Sequence, residues 1–263
     1  MTKISGKISE KISEKISGKL IIKSDKKKYI KINRNQILIL DALLYDGGIN
    51  KKYIDKSNNL RFSEHSGHIG LNNSSIDRII VSAKTNREDK DDKEILLPHN
   101  LFDTYEYEYF FHTHPPTPYP GGRAKDGILY EFPSISDIFH FIDHYNMGKT
   151  IGSVVIAAEG YYIIYPKKFN IKKIIYDVEL EDQMFNEMEK ENTQIHELAA
   201  KKYGSNFTEE LFFSTIAMDD TYINMYTKMI NKYLNNQLKI IIKHRTKDKL
   251  TNKWIIKNLY LPL

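Results

Sequence analysis

The chain has 263 residues, of which 41% are hydrophobic and 12% aromatic, and it contains no cysteine. This length allows one or two domains with a sizeable core, and the composition argues against a wholly disordered protein. The absence of cysteine excludes disulfide frameworks, thiolate zinc fingers, iron–sulfur clusters and a cysteine nucleophile. Any metal or hydrolytic chemistry must therefore use His, Asp, Glu and Ser.

The formal net charge of +5 is concentrated at one end of the chain. Residues 1–34 contain eleven Lys or Arg and three acids, whereas residues 35–263 have a balance of −3. Residues 3–18 form four KISG or KISE tetrapeptides. Their Ile spacing allows a weak amphipathic helix, but the recurrent Ser and Gly favour a disordered tail. The functional interpretation of this low-complexity basic tail is a tether to nucleic acid or another anionic surface.

The sequence gives no sign of membrane insertion or secretion. No stretch reaches the roughly 18 apolar residues that a membrane span needs, and no apolar run with a small-residue cleavage site begins the chain. We therefore expect a soluble intracellular protein, with the cytoplasm as its compartment.

From residue 35 the pattern changes to packed elements. The segment 36–48 predicts a helix ended by Gly47 and Gly48, and a charged segment at 86–94 predicts a solvated loop. Apolar residues at helical spacing predict a second helix over 133–145. Strands are predicted at 68–72, 75–83, 105–114 and, on either side of a turn at Glu159–Gly160, within 151–166.

Beyond Pro166 the composition shifts to long, Glu-rich helical patterns. Helices are predicted at 177–203 and 207–236, followed by strands at 238–244 and 253–261 that a TKDK turn would join into a hairpin. We therefore predict three parts: a low-complexity basic tail at 1–34, a domain at 35–166, and a C-terminal α+β extension at 167–263.

The sharpest motif is His112-Thr113-His114, at the end of an aromatic strand. Residues two apart on a strand share a face, and their Cα atoms lie about 6.6 Å apart, so both imidazoles can reach one metal ion. A catalytic zinc site needs a third protein ligand and an open position, and Asp137 is the best candidate.

The segment Ser134-Ile135-Ser136-Asp137 has two interpretations. The structural one is a capping box, with Ser134 as the N-cap and Asp137 three residues later. The functional one is that the helix N-terminus holds a hydroxyl and a carboxylate rigidly beside a metal site. The upstream His-x-His pair favours the second interpretation.

These residues resemble the JAMM metalloprotease family, also called the MPN-plus domain, whose signature is a Glu, then His-x-His followed by Pro, then Ser-x-x-Asp. The resemblance covers roughly residues 36–166. The matching residues are Glu64, His112, His114, Pro115, Ser134 and Asp137.

The resemblance implies a fold, a cofactor and a mechanism. The fold would be α+β, an MPN-like mixed sheet flanked by helices. His112, His114 and Asp137 would bind Zn²⁺, Glu64 would act as general base and acid on the zinc-bound water, and Ser134 would stabilise the oxyanion. The reaction would be hydrolysis of an isopeptide or amide bond, with conjugates of ubiquitin or a ubiquitin-like protein as partners.

Two features of the motif leave alternatives open. Nineteen residues separate His114 from Ser134, more than is usual in the family, and this Pro- and Gly-rich insertion predicts a substrate-selecting or covering loop at the cleft or a rewired site. Glu64 is chosen as the base because the segment EHSGHIG resembles the family's Glu and Gly pattern, and Glu131 is the rival.

Two other function classes compete with the isopeptidase. One is a catalytically inactive MPN-like scaffold whose C-terminal part binds partners. The other is a metal-dependent phosphoesterase or amidohydrolase, since His-x-His at a strand end also begins such sites.

Several other polar and aromatic features are given structural interpretations. His140 and His144 have zinc-pair spacing but lack the Glu of an HExxH protease, and His65 and His68 are expected in local polar structure. No P-loop is present. The aromatic run at 105–111 predicts a buried strand.

Overall fold

A computed structural model describes most of the chain. The described residues are 29–50, 53–54, 58, 60–72, 75–82, 107–115, 127–204 and 206–263. The strands, in chain order, are β1 Tyr29–Ile32, β2 Tyr53–Ile54, β3 Leu60–Arg61, β4 Ser66–Asn72, β5 Ser75–Val81, β6 Tyr109–Thr113, β7 Gly152–Ile156, β8 Gly160–Pro166, β9 Leu238–His244, β10 Thr246–Lys247, β11 Trp254–Ile255 and β12 Leu259–Pro262. The α-helices are α1 Arg34–Tyr45, α2 Ile135–Met147, α3 Glu181–Tyr203, α4 Glu209–Leu211 and α5 Asp220–Tyr233.

A six-stranded mixed sheet forms the centre of the fold. Its strand order is β5-β4-β6-β7-β8-β9. The pair β6–β7 is parallel, and every other neighbouring pair in this sheet is antiparallel. Helix α2 lies between β6 and β7 in the chain, as a parallel connection requires. The predicted α+β class with a mixed sheet and flanking helices is confirmed.

Both faces of the sheet are covered, so its central strands are buried throughout. Alternate residues of a strand point to opposite faces. Tyr109 and Phe111 of β6 pack in a hydrophobic cluster with α1, β1 and β12. Phe110 packs on the other face, in a cluster with α2, α3 and α5. The prediction of a buried aromatic strand is confirmed for Tyr109–Phe111, whereas Tyr107 is buried just before the strand and Tyr105 lies outside the described residues.

Strands β7 and β8 form the predicted pair around Glu159–Gly160. Every residue of both strands is buried, as their nearly continuous apolar sequence predicts. Gly160 has a packing reason, because a Cβ there would lie 2.5 Å from the carbonyl oxygen of Lys243 on the neighbouring strand. The close approach of β9 therefore leaves room only for a residue without a side chain.

The N-terminal elements differ in detail from the prediction. The first helix is α-helical over Arg34–Tyr45, capped by Asn33, and continues as a π-helical turn at Asp46–Asn50 that contains both predicted terminating glycines. Residues 1–28, with the four tetrapeptides, lie outside the described residues. Strand β1, which falls in the predicted tail, was not predicted because its partner β12 lies at the other end of the chain.

The C-terminal elements correct two predictions. The predicted helix over 207–236 is broken into α4, a π-helical turn at Phe212–Ile216, and α5. The side chain of Asp219 caps α5 by accepting a hydrogen bond from Thr221 N at 3.1 Å, so a new helix begins there.

The predicted hairpin between 238–244 and 253–261 is wrong. Strand β9 pairs with β8 at the edge of the central sheet, and β12 pairs with β1. Only the short strands β10 and β11 pair across the intervening turn. The C-terminal segment therefore contributes a strand to the central sheet and packs in the same hydrophobic cluster as α2. The division of the chain into domains at residue 166 stays a prediction.

The predicted loop at 86–94 lies outside the described residues. In the part of the chain that is described, no helix has the length and apolar character needed to cross a membrane.

Candidate metal centre

The His-x-His pair lies where β6 ends, on the face covered by α2. His112 is fully buried and His114 is 8% exposed. Because they are two residues apart, both imidazoles emerge on the same face, and their Nε2 atoms lie 3.0 Å apart. The parallel neighbour β7 holds the strand end in place, since His114 N donates to Ile156 O at 2.8 Å.

The first turn of α2 brings Asp137 to the two histidines. Asp137 Oδ1 lies 3.2 Å from His112 Nε2, and Asp137 Oδ2 lies 3.3 Å from His114 Nε2. The carboxylate is fully buried. The three residues that the sequence predicts as metal ligands are therefore adjacent in space.

The predicted capping box orients this carboxylate. Ser134 N donates to Asp137 Oδ2 at 2.6 Å, and Asp137 N donates to Ser134 Oγ at 3.1 Å. The structural and functional interpretations of this motif are therefore compatible, because the same hydrogen bonds that cap the helix aim Oδ1 and Oδ2 at the imidazoles. Ser134 is half-buried, and its oxygen accepts the cap hydrogen bond, so its hydroxyl hydrogen is left to donate elsewhere.

The geometry of the three side chains suits one metal ion. Ligand atoms from all three lie within 4.8 Å of one another. For ligands about 2.0–2.1 Å from a tetrahedral zinc ion, the separation between ligand atoms is about 3.3 Å. The Nε2–Nε2 separation of 3.0 Å is close to that value, and each imidazole nitrogen lies within 3.3 Å of one oxygen of the Asp137 carboxylate, so this buried His-His-Asp group could hold a metal ion.

The charges within the group shift its pKa values strongly. Burial raises the pKa of Asp137, but the charge of His112 and hydrogen bonds from both imidazoles outweigh it and hold that pKa well below its usual range. Burial lowers the pKa of His114, but the hydrogen bond to Asp137 and the negative charge of Glu64 raise it to about 10. The pocket therefore favours a positive charge between these side chains.

Backbone contacts fix the imidazole of His114 further. Its Nδ1 lies 3.2 Å from the carbonyl oxygen of Glu131, to which it must donate because a carbonyl only accepts. Donation from Nδ1 leaves Nε2 to face Asp137, which is the arrangement typical of a metal-binding histidine. Among the described residues, the Nδ1 atom of His112 has no hydrogen-bond partner.

Glu64 lies just before β4, at the position opposite His114. Strands β4 and β6 are antiparallel, and Thr113 N donates to His65 O at 2.8 Å. One further step of the same register brings Glu64 across from His114. Its charge is also the larger of two nearby glutamate contributions to the pKa of His114, the smaller being that of Glu131. Both candidates for the general base thus lie close to the three predicted ligands. The charge of Glu64 raises the pKa of His114 more than the charge of Glu131 does.

The glycine pattern after Glu64 has a packing reason. A Cβ at Gly67 would lie 2.0 Å from the carbonyl oxygen of Ile80 and 2.7 Å from the Phe111 ring. Close packing of β4 between β5 and β6 therefore requires glycine at this position.

Four other histidines that the sequence analysis considers lie outside the group of three. His65 pairs with Asp46, with 3.0 Å between Nε2 and Oδ2, and His68 stacks on Tyr107. His140 and His144 pack against the Phe110 ring, with centroids 5.2 and 5.3 Å from it. These contacts agree with the structural interpretation of all four.

The insertion between His114 and Ser134 is described only at its two ends. Residues 116–126, which include the predicted loop tip, lie outside the described residues. The returning end is buried: Phe132 stacks on Tyr226 of α5 at 5.0 Å, and Tyr130 OH donates to Ile216 O at 2.6 Å. The C-terminal helices therefore hold the end of the insertion that leads into Ser134.

Sequence reasoning missed one buried acid beside the site. Glu159, only 1% exposed, accepts hydrogen bonds through Oε1 from Glu131 N and from Tyr162 OH, both at 2.6 Å. In the sequence, Glu159 is a lone acid between two apolar strands. That pattern by itself predicts only a turn.

Comparisons with known proteins identify one similar chain and no function. An uncharacterized protein of Acanthamoeba polyphaga mimivirus is 34% identical over 241 residues, which cover 89% of this chain. This chain spans 65% of the length of that relative. No family model matches the sequence, and no solved structure matches it.

Proposed function

We propose that the chain is a zinc-dependent metalloprotease of the JAMM type, with an MPN-like fold, that hydrolyses isopeptide or amide bonds. The observation that carries the proposal is the buried group of His112, His114 and Asp137, whose ligand atoms lie within 4.8 Å of one another and converge on one point. The order of the residues in the sequence and the position of Glu64 opposite His114 support it further.

The donor set fits zinc. Two imidazole nitrogens and one carboxylate oxygen form a three-ligand set that leaves a fourth position open for water or substrate. The chemistry that zinc supplies when bound is Lewis-acid activation, which polarises a carbonyl oxygen and lowers the pKa of water to about 7.

The remaining roles belong to the side chains around the group. The Glu64 carboxylate takes a proton from the attacking water and returns it to the leaving amine, so no covalent nucleophile is needed. Ser134 donates its hydroxyl hydrogen to the oxyanion that develops on the scissile carbonyl, while its oxygen continues to accept from Asp137 N.

The substrate class follows from the resemblance. We propose conjugates of ubiquitin or a ubiquitin-like protein, in which a lysine side-chain amine is the leaving group. A panel of isopeptide-linked ubiquitin dimers and a fluorogenic ubiquitin amide tests this class directly, with zinc-loaded protein.

The decisive variant for the mechanism is Glu64→Gln. We expect turnover to fall by about 10²- to 10⁴-fold, the usual contribution of general acid–base catalysis, with zinc content unchanged. The matched control is Glu131→Gln, which alters the rival carboxylate and keeps the backbone carbonyl that holds His114. Loss of turnover in the control with full activity in Glu64→Gln would transfer the base to Glu131.

The same assay separates the alternatives. Wild-type protein that binds zinc yet cleaves no substrate of the panel would favour the scaffold. Zinc-dependent hydrolysis of a chromogenic phosphodiester would favour the phosphoesterase, and iron in place of zinc would contradict a zinc protease.

A further inference from the structure

A buried acid supports the metal group from the turn between β7 and β8. Among the described residues, Glu159 forms no hydrogen bond or ion pair with the three predicted ligands, yet its side chain is 1% exposed. Burying a carboxyl group costs free energy unless the group is hydrogen-bonded. The partners of the Glu159 side chain therefore show what the buried acid holds in place. Its Oε1 atom accepts from two donors, Glu131 N and Tyr162 OH, each at 2.6 Å.

One of those two contacts continues to the metal group. The backbone of Glu131 donates to Glu159 through its nitrogen and accepts from His114 Nδ1 through its oxygen, at 3.2 Å. Glu159 thus holds the residue whose carbonyl orients the imidazole of His114. The second contact, from Tyr162, ends within the hydrophobic cluster and does not reach the group.

The turn that carries Glu159 is itself held rigidly. Arg245 Nε donates to Ala158 O at 2.9 Å, and Arg245 Nη2 donates to Ala157 O at 3.3 Å. This turn is therefore fixed to the central sheet in two ways, by the β7–β8 pairing and by the Arg245 guanidinium.

We propose that Glu159 is a positioning residue for His114, acting through the backbone of Glu131. It sets the orientation of the imidazole and its Nδ1–H donation, so that Nε2 faces Asp137. The consequence for metal affinity rests on the proposed function, whereas the consequence for the Nδ1 hydrogen bond does not.

The test measures two quantities in Glu159→Ala and in the wild type. The first is zinc affinity, by competition with a chromogenic chelator. We expect it to fall roughly tenfold, the lower end of what outer-shell changes cost at metal sites. The second is the rate at which the Nδ1 proton of His114 exchanges with water in the metal-free chain, by NMR. We expect it to rise roughly 3- to 10-fold, the scale of one weakened buried hydrogen bond.

Two variants separate positioning from a general loss of stability. Tyr162→Phe removes the other donor to the same oxygen, so it should lower stability and change zinc affinity and proton exchange by less than about twofold. Glu159→Gln keeps an acceptor oxygen and should restore both quantities. If Glu159→Ala fails to fold, Glu159→Leu fills the same space without an acceptor and takes its place.

The outcomes are distinct. Equal effects of Glu159→Ala and Tyr162→Phe on both quantities would overturn the positioning role. A wild type that binds no zinc would overturn the proposed function, and the proton-exchange comparison would still decide whether Glu159 acts on His114.

Discussion

The two faces of the central sheet each hold a largely buried aspartate, and the two differ in their partners. On the α1 face, Asp41 accepts hydrogen bonds from Arg245 at 2.8 Å, from Tyr161 at 2.9 Å and from Arg34 at 2.8 Å. Burial raises the pKa of Asp41, but these cations and hydrogen bonds outweigh it and lower the pKa. Permanent cations balance this carboxylate, so the network is complete without any ligand.

On the α2 face, the partners of Asp137 are two imidazoles. Their Nε2 atoms face one another at 3.0 Å, so one proton at most fits between them. Once the Nε2 protons leave, the carboxylate and the two imidazoles present lone pairs toward one point, and a metal cation can satisfy them together. Burial of an aspartate therefore does not identify a site, whereas the chemistry of its partners does.

We expect the largest effect on stability in the network around Asp41, where cations already balance the carboxylate. Asp41→Ala should lower the free energy of unfolding by about 3 kcal/mol, because it leaves the buried guanidinium of Arg245 without its carboxylate. Metal content should not change. Urea unfolding at pH 7 with metal analysis of the same preparation measures both.

The control for this prediction is Arg34→Ala. The Arg34 side chain is 31% exposed, so its ion pair with Asp41 should contribute less than about 1 kcal/mol. Equal losses in the two variants would show that the network is not organised around the buried pair of Asp41 and Arg245.

A second effect of similar size, on the order of 3 kcal/mol, should appear as a pH dependence of stability from Glu159. Burial is the main cause that raises the pKa of this carboxyl group from 4.5 to about 7, with the charge of Glu131 adding to it. The folded state therefore holds the proton more tightly than the unfolded state. Stability present below pH 4.5 is lost as pH rises through about 7.

The measurement is the free energy of unfolding of the wild type and of Glu159→Gln between pH 4.5 and 8. Gln cannot ionise, so the variant should lack this part of the decline, and the difference between the two proteins should grow with pH. A constant difference across that range would mean that Glu159 ionises with an ordinary pKa.

The parts of the site that the sequence predicts are those set by local geometry. His112 and His114 share a face because strands have a period of two residues. Ser134 and Asp137 meet because a helix N-terminus brings the N-cap and the third residue together. Neither inference needs knowledge of the rest of the fold.

The parts that escaped prediction depend on distant pairing. Asp41 and Arg245 are 204 residues apart, and β1 pairs with β12 across nearly the whole described chain. Glu159 looked like an ordinary turn residue, because its contact with Glu131 arises only when the end of the insertion packs beside the sheet. The predicted C-terminal hairpin failed for the same reason, since β9 finds its partner in β8.

The proposed function depends most directly on whether His112, His114 and Asp137 bind a metal ion. The measurement is zinc per chain by mass spectrometry, on protein purified without affinity metal, for the wild type and for Asp137→Ala. We predict near one zinc in the wild type and far less in the variant, with an affinity loss greater than the roughly 10- to 100-fold that outer-shell changes cause. Equal, near-zero zinc in both preparations would contradict the metal centre and the function proposed from it.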